Sequence, residues 1–117
     1  MTVALAHITF DCVDATSLAG FWSHAIGIPV DDGAEPSFAS IGYPAVDGKQ
    51  AWLFIKVPEG KSSKNRMHLD LTSGPDGRDT EVARLVGAGA TKLADHDEYG
   101  HRWTVMHDPE GNEFCVA

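Results

Sequence analysis

Two stretches of the chain open on a histidine and then alternate polar with apolar side chains. They are Ala6-His7-Ile8-Thr9-Phe10-Asp11 near the start and Arg66-Met67-His68-Leu69-Asp70-Leu71-Thr72 past the middle. A period of two is the signature of a half-buried strand. It places His7, Thr9 and Asp11 on one face of the first strand, and His68, Asp70 and Thr72 on one face of the second. Ile8, Phe10 and Cys12, and then Leu69 and Leu71, take the opposite faces, where a helix is expected to cover them. A motif that recurs in this way points to a duplicated unit, and this restricts the fold more than any other feature of the chain.

The elements that follow each strand repeat as well. After a first strand over about Ala4 to Cys12, Asp14 or Thr16 caps a helix whose Leu18, Phe21, Trp22, Ala25 and Ile26 recur at the spacing of one buried stripe. Gly27 closes it. Strands are predicted over Ser37 to Tyr43 and Gln50 to Val57, separated by Pro44 and an Asp47-Gly48 turn. The polar, basic run from Pro58 to Lys64 is the seam. Past it come a strand from Arg66 to Thr72 and a helix from about Asp79 to Val86 with Val82, Leu85 and Val86 inward. Gly87 and Gly89 end that helix. Strands over Thr91 to Asp97, His101 to His107 and Asn112 to Ala117 complete the chain, the last two joined by Asp108-Pro109-Glu110-Gly111. The reading is an α+β domain of two βαβββ modules, residues 1–60 and 61–117.

Size and charge narrow the function. A chain of 117 residues with 43% apolar content is long enough to build a core without metal or disulfide staples. A formal charge of −8, from 9 basic and 17 acidic side chains, argues against nucleic acid and anionic membrane as partners. No apolar run approaches the roughly 20 residues that span a bilayer, and a secretory leader is not evident. A cytoplasmic protein is expected, with Cys12 and Cys115 as reduced, inert thiols.

Strand phase assigns the remaining faces. If the turn at Asp108 to Gly111 is an even loop, Met106 pairs with Glu113 and Thr104 with Cys115. Trp103, Val105, Phe114 and Val116 then pack on the second helix, and Arg102, Thr104, Met106, Glu113 and Cys115 face away. On Ala51 to Val57 the same logic gives Ala51, Leu53, Ile55 and Val57 to the first helix and leaves Trp52, Phe54 and Lys56 on the open face. Folded about a pseudo-two-fold axis, the open faces line a shared cavity, and His7, His68 and Glu113 form a set of two imidazoles and one carboxylate. Such a set holds Fe(II) or another divalent ion with positions left open. Thr9, Asp11 or Asp70 are candidates to orient the ligands. Trp52, Phe54 and Phe38 are candidates for an apolar wall, and Lys56 or Arg102 for meeting a ligand anion. The alternative for the histidines is two hydrogen-bonded surface side chains at strand starts, and for the aromatics ordinary core or dimer packing. His96, His101 and His107 are expected at solvated edges. Lys61, Lys64 and Arg66 are expected to form a solvated basic seam, and Asp76, Asp79 and Glu81 to sit at a helix start.

The stretches His7 to Asp14, Phe21-Trp22 with Gly27, Val57-Pro58-Glu59, Lys64 to Leu71 and Asp108-Pro109-Glu110-Gly111-Asn112-Glu113-Phe114 together resemble the vicinal oxygen chelate superfamily. That group contains glyoxalase I, extradiol dioxygenases and the fosfomycin and bleomycin resistance proteins, and the chain most resembles its short bacterial glyoxalase-like members. The resemblance implies paired βαβββ modules forming a cupped mixed sheet around a cavity, often in a homodimer. It carries metal-ligand roles onto His7, His68 and Glu113, for an ion such as Fe, Zn, Ni or Mn. A further glyoxalase I ligand belongs on the strand from Ala51 to Val57, at Phe54 by parity, and phenylalanine cannot bind a metal. Glyoxalase I activity is therefore not expected. A metal-dependent lyase or dioxygenase acting on a small oxygenated metabolite, and a metal-free binding protein of the bleomycin-resistance kind, both remain open.

Overall fold

Asp14 begins the organisation of the first half. Its extended backbone and its carboxylate, which accepts from the Ser17 N–H at 3.2 Å, cap α1 (Ala15–Ile26). Gly27 ends the helix at φ +74°, a left-handed conformation that costs glycine little. The computed structural model describes residues 2–46 and 48–117, so Asp47 of the expected Asp47-Gly48 turn lies outside the described residues. The chain divides into two units, one up to Gly60 and one from Lys61 onward. Among the described residues, no helix is long and apolar enough to cross a membrane.

In the first unit β1 (His7–Cys12), β2 (Phe38–Ile41) and β3 (Ala51–Lys56) form a sheet in the order β1-β3-β2, with β1 parallel and β2 antiparallel to β3. Among the described residues the first unit has three strands where the expected βαβββ pattern has four, and an isolated antiparallel bridge, Val30 to Ile41, joins the edge of β2. Phe10, Trp22, Trp52 and Phe54 pack ring on ring, with centroids 5.4 to 6.2 Å apart. Leu18 and Ile41 are fully buried beside this aromatic core.

That core corrects the expected phase of β3. Trp52 and Phe54 belong to the helix side with Ile8 and Phe10, and Leu53 and Ile55 lie opposite with Thr9 and Asp11. Both alternating rows of this central strand are apolar, so periodicity does not choose between them. The larger rings pack on Trp22 and Phe10, Trp52 against the first and Phe54 against the second, and aromatic burial decides it.

The second unit adds β4 (Leu69–Leu71), α2 (Arg78–Gly87), β5 (Thr91–Glu98), β6 (His101–His107) and β7 (Glu113–Val116), with sheet order β4-β7-β6-β5. β4 runs parallel to β7, and the other pairs are antiparallel. Val82 and Leu85 of α2 are buried, as are Met106, Phe114 and Val116 in the sheet. Val86, expected inward, is exposed. α2 opens on Gly77 without a side-chain cap, and Glu81 in its first turn pairs with Arg84 at 2.7 Å.

The β6–β7 register also departs from expectation. Thr104 pairs with Val116, Val105 with Cys115, Met106 with Phe114 and His107 with Glu113. Five residues, Asp108 to Asn112, connect the strands, and the Asp108 carboxylate organises them by accepting from the Glu110 and Asn112 amides and from Asn112 Nδ2. An odd connection slips the pairing by one residue and reverses every side chain of β6. Met106 and Thr104 therefore point into the core, and Trp103 and Val105 to the other face.

The β3 correction has a direct test. Phe54→Ala should cost about 3–5 kcal/mol, as expected for a buried ring. Ile55→Ala, at a partly exposed position, should cost roughly 1 kcal/mol. Urea denaturation of both variants checks this, and equal losses would restore the aliphatic face to the helix.

Candidate functional site

The face of the second sheet away from its core lines a cavity of about 500 Å³, within the range of small-molecule sites. Its lining brings together His68, Asp70 and Thr72 from the β4 segment, Trp103 and Val105 from β6, and Glu113 and Cys115 from β7, with Lys64 and His101 also contributing. Strand pairing explains the grouping. Asp70 is the register partner of Cys115, and Cys115 is that of Val105, so the three cross the sheet in one row. His68, one residue ahead of the paired segment, falls in step with Glu113.

Glu113 is the most constrained of these groups, with its side chain only 7% exposed. Oε1 accepts from the Asn65 amide at 2.9 Å and meets Lys61 Nζ at 2.9 Å. Asn65 Nδ2 in turn donates to Asn112 Oδ1 at 3.1 Å, and Lys61 also donates to the Ser63 carbonyl, so both partners are themselves held. Burial works against ionisation, but the Asn65 N–H and the Lys61 ammonium outweigh it and hold the carboxyl down to about 2. At neutral pH Glu113 is a fixed negative charge.

His68 and Asp70 form a second pair, with Nδ1 3.1 Å from Oδ1. This contact orients the ring and turns Nε2 away from Asp70, as a ligating imidazole requires. Burial and the neighbouring Asp70 carboxylate push the Cys115 thiol up from its ordinary value. In the protein without bound ions the sulfur therefore keeps its proton at neutral pH.

The remaining expected site residues are placed each within its own unit. His7 opens β1 in the first unit, edge-on to Tyr43 with centroids 6.0 Å apart, and its partner on β3 is Ala51, which offers no donor atom. Trp52 is 8% exposed and Phe54 fully buried in the aromatic core, which corrects their assignment to an open face. Lys56 is exposed at the end of β3, in phase with Phe54. Phe38, paired with Ile55, is on the face away from α1. Arg102 is exposed and bound to Asp97 at 3.1 Å, on the side of β6 opposite the cavity.

Sequence reasoning missed Trp103 and His101 as wall residues, because the even-loop register turned Trp103 toward the helix. It also missed Lys61 and Asn65 as partners of Glu113. Glu113 was expected on an open face, and its burial, which calls for a cation or amide nearby, is what the structure adds.

A model of the glyoxalase-like domain family matches residues 7–117. Among solved structures, a glyoxalase/bleomycin resistance/dioxygenase family enzyme from Burkholderia phytofirmans PsJN aligns with a TM-score of 0.75 at 20% identity, covering 95% of this chain and 94% of that one. A mutant of the fosfomycin resistance protein FosX from Listeria monocytogenes, complexed with Mn(II) and 1S,2S-dihydroxypropylphosphonic acid, gives 0.75 at 12%, covering 99% and 90%. A glyoxalase-related enzyme from Fulvimarina pelagi gives 0.73 at 21%, covering 97% and 86%. At these identities the likeness establishes the fold alone. A search of curated proteins found no match.

The depressed Glu113 carboxyl makes stability pH-dependent. Its contribution is complete above the ordinary value of 4.5 and is lost as the pH falls toward about 2. Glu113→Gln should be less stable than the parent by about 1–2 kcal/mol at pH 7, and the two should converge near the bottom of that window. Denaturant titrations across the acid range read both the gap and its closure.

Proposed function

Since the chain belongs to the glyoxalase-like domain family, we propose that it binds a small oxygenated metabolite in the cavity of its second unit, beside a divalent ion held by His68 and Glu113. The observation that carries this reading is the state of those two side chains: an imidazole with Nδ1 engaged by Asp70 and a carboxylate held ionised, both on the wall of one cavity. The donor set fits a divalent ion of the Fe, Zn, Ni or Mn kind. His7 enters the proposal through the repeat, since it opens β1 as His68 leads into β4.

Each group has its own part. Asp70 fixes the His68 ring, the Asn65 amide fixes Glu113, and Trp103 and Val105 supply the apolar wall on which a ligand's carbon skeleton rests. A divalent ion, when bound, supplies Lewis acidity toward the oxygens of a vicinally oxygenated ligand, the requirement of a lyase or dioxygenase. The FosX mutant complexed with Mn(II) and 1S,2S-dihydroxypropylphosphonic acid, a neighbour in fold, supports this chemistry. The family resemblance extends the proposal to a homodimer in the cytoplasm.

One observation favours a second reading. Lys61 already neutralises Glu113 at 2.9 Å, and a cation beside a donor carboxylate opposes the arrival of another. On that reading the protein is a metal-free binder of the bleomycin-resistance kind, holding its ligand by the cavity wall alone.

Elemental analysis separates the two. After incubation with Fe(II), Zn(II), Ni(II) or Mn(II) and dialysis, the parent protein should retain a stoichiometric ion. His68→Ala should abolish retention, Glu113→Gln should weaken it by about 10–100-fold, and His7→Ala reports on the first unit's imidazole. Lys61→Met should tighten it. A parent protein as empty as His68→Ala would overturn the metal reading in favour of the binder.

A further inference from the structure

Beside the His68–Glu113 pair lies a second set of donors, His68, Asp70 and Cys115, which shares His68 with that pair and adds a thiol that the proposed function does not use. Asp70 and Cys115 are register partners across the parallel β4–β7 pair and point to the same face, and His68 stands two residues before Asp70 on that face. The ligating atoms of His68, Asp70 and Cys115 all lie within 4.8 Å of one another. Asp70 is the hub of the group, taking the His68 ring at 3.1 Å and a hydrogen bond from the Cys115 thiol.

We infer that His68, Asp70 and Cys115 form a thiolate-containing site for a thiophilic divalent ion such as Zn(II), distinct from the oxygen- and nitrogen-ligated site proposed above. A tetrahedral zinc ion, with bonds of about 2.0–2.3 Å, needs donors roughly 3.3–3.8 Å apart. Closing from 4.8 Å calls for shifts of roughly 1 Å, and His68 and Asp70 are exposed side chains with room to make them. Cys115 is the anchored member, buried in β7. Three protein ligands leave a fourth position directed into the cavity, the pattern of a zinc site open to a ligand. Binding replaces the thiol proton by the metal, so sulfur enters as thiolate and a proton leaves to solvent. Glu113 is not needed, because its charge is already met by Lys61. Lys64, on the same cavity wall, is the cation such an ion must tolerate.

The two sites share His68, so they cannot be filled together, and their remaining donors tell them apart. Co(II) is the probe, since only a thiolate ligand produces an intense sulfur-to-cobalt charge-transfer band in the near ultraviolet. Titration of the parent protein with Co(II) should develop this band to a stoichiometric end point, and Zn(II) should bleach it. Glu113→Gln and Cys12→Ser should keep the band. Cys115→Ser should lose it, and Asp70→Asn should weaken Co(II) binding by at least tenfold. Cys115→Ala, with circular dichroism to confirm its fold, replaces the serine variant should that one unfold. A parent protein that binds Co(II) with no charge-transfer band, or none at all, overturns the inference, as does a band that survives in a folded Cys115 variant. The Glu113-dependent retention of Mn(II) is read separately, so either site can fail without the other.

Discussion

Parallel pairing of β4 with β7 is the constraint from which the second unit's chemistry follows. Its register sets Asp70 against Cys115 and brings His68 into step with Glu113. Because side chains alternate strictly, a slip of one residue on either strand would replace a polar member of this group by Leu69, Leu71, Phe114 or Val116. The core forbids that slip. Phe114 and Val116 are fully buried, and moving either one to the cavity face would forfeit about 1.5–3 kcal/mol of burial for each. The ladder is extended past the strand ends by the Ala117 N–H to the Leu71 carbonyl and the Ser73 N–H to the Ala117 carbonyl. The apolar core and the polar row are thus two sides of one pairing.

The two units carry the same plan to different ends. In each, the first strand runs parallel to the last, and the histidine that opens or leads into the first strand meets the start of its partner. In the first unit that partner position is Ala51, and in the second it is Glu113. The first unit uses its sheet for an aromatic core of Phe10, Trp22, Trp52 and Phe54. The second places only Trp103 among its large rings, on the cavity side, stacked between His96 and His101 at 5.1 and 5.4 Å. Among the described residues, the β3 position paired with His7 is Ala51, whereas Glu113 opens β7 in the second unit.

What could be read from the chain divides along physical lines. The α+β class, the Asp14 cap, the Gly27 stop and the polar faces of β1 and β4 were legible, because each rests on a few adjacent residues whose chemistry has one good solution. The phases of β3 and β6 were not. In β3 both rows are apolar, so the choice of face fell to the packing of Trp52 against Trp22 and of Phe54 against Phe10, contacts between residues 30 and 44 positions apart. In β6 the phase depended on whether the Asp108 turn holds an even or an odd number of residues. That is settled by the hydrogen bonds of one carboxylate rather than by composition. One such error moved Trp103 into the core and Met106 out of it. Of the candidate donors, Glu113 and His68 were assigned to the correct face because they sit on strands whose apolar row is unambiguous. The Lys61 contact escaped notice because a lysine in a polar linker carries no local sign of its partner.

The competition for His68 and Glu113 bears on what the cavity can accept. Glu113 holds its charge against Lys61, whereas Asp70 gives its charge to an imidazole and a thiol, both weaker partners than an ammonium group. A hard cation, which favours carboxylate oxygen, must displace or share with Lys61 to reach Glu113. A soft one meets sulfur and nitrogen at Cys115 and His68 without disturbing the Lys61–Glu113 pair. Trp103 and Val105 continue the same sheet face on β6, so in the proposed function a ligand would lay its apolar side on the indole and turn its oxygens toward β4 and β7. Lys64 at the same wall favours a ligand carrying negative charge. On the proposed reading, the ligand that suits this lining is a small molecule with one apolar edge and one oxygen-rich, anionic edge.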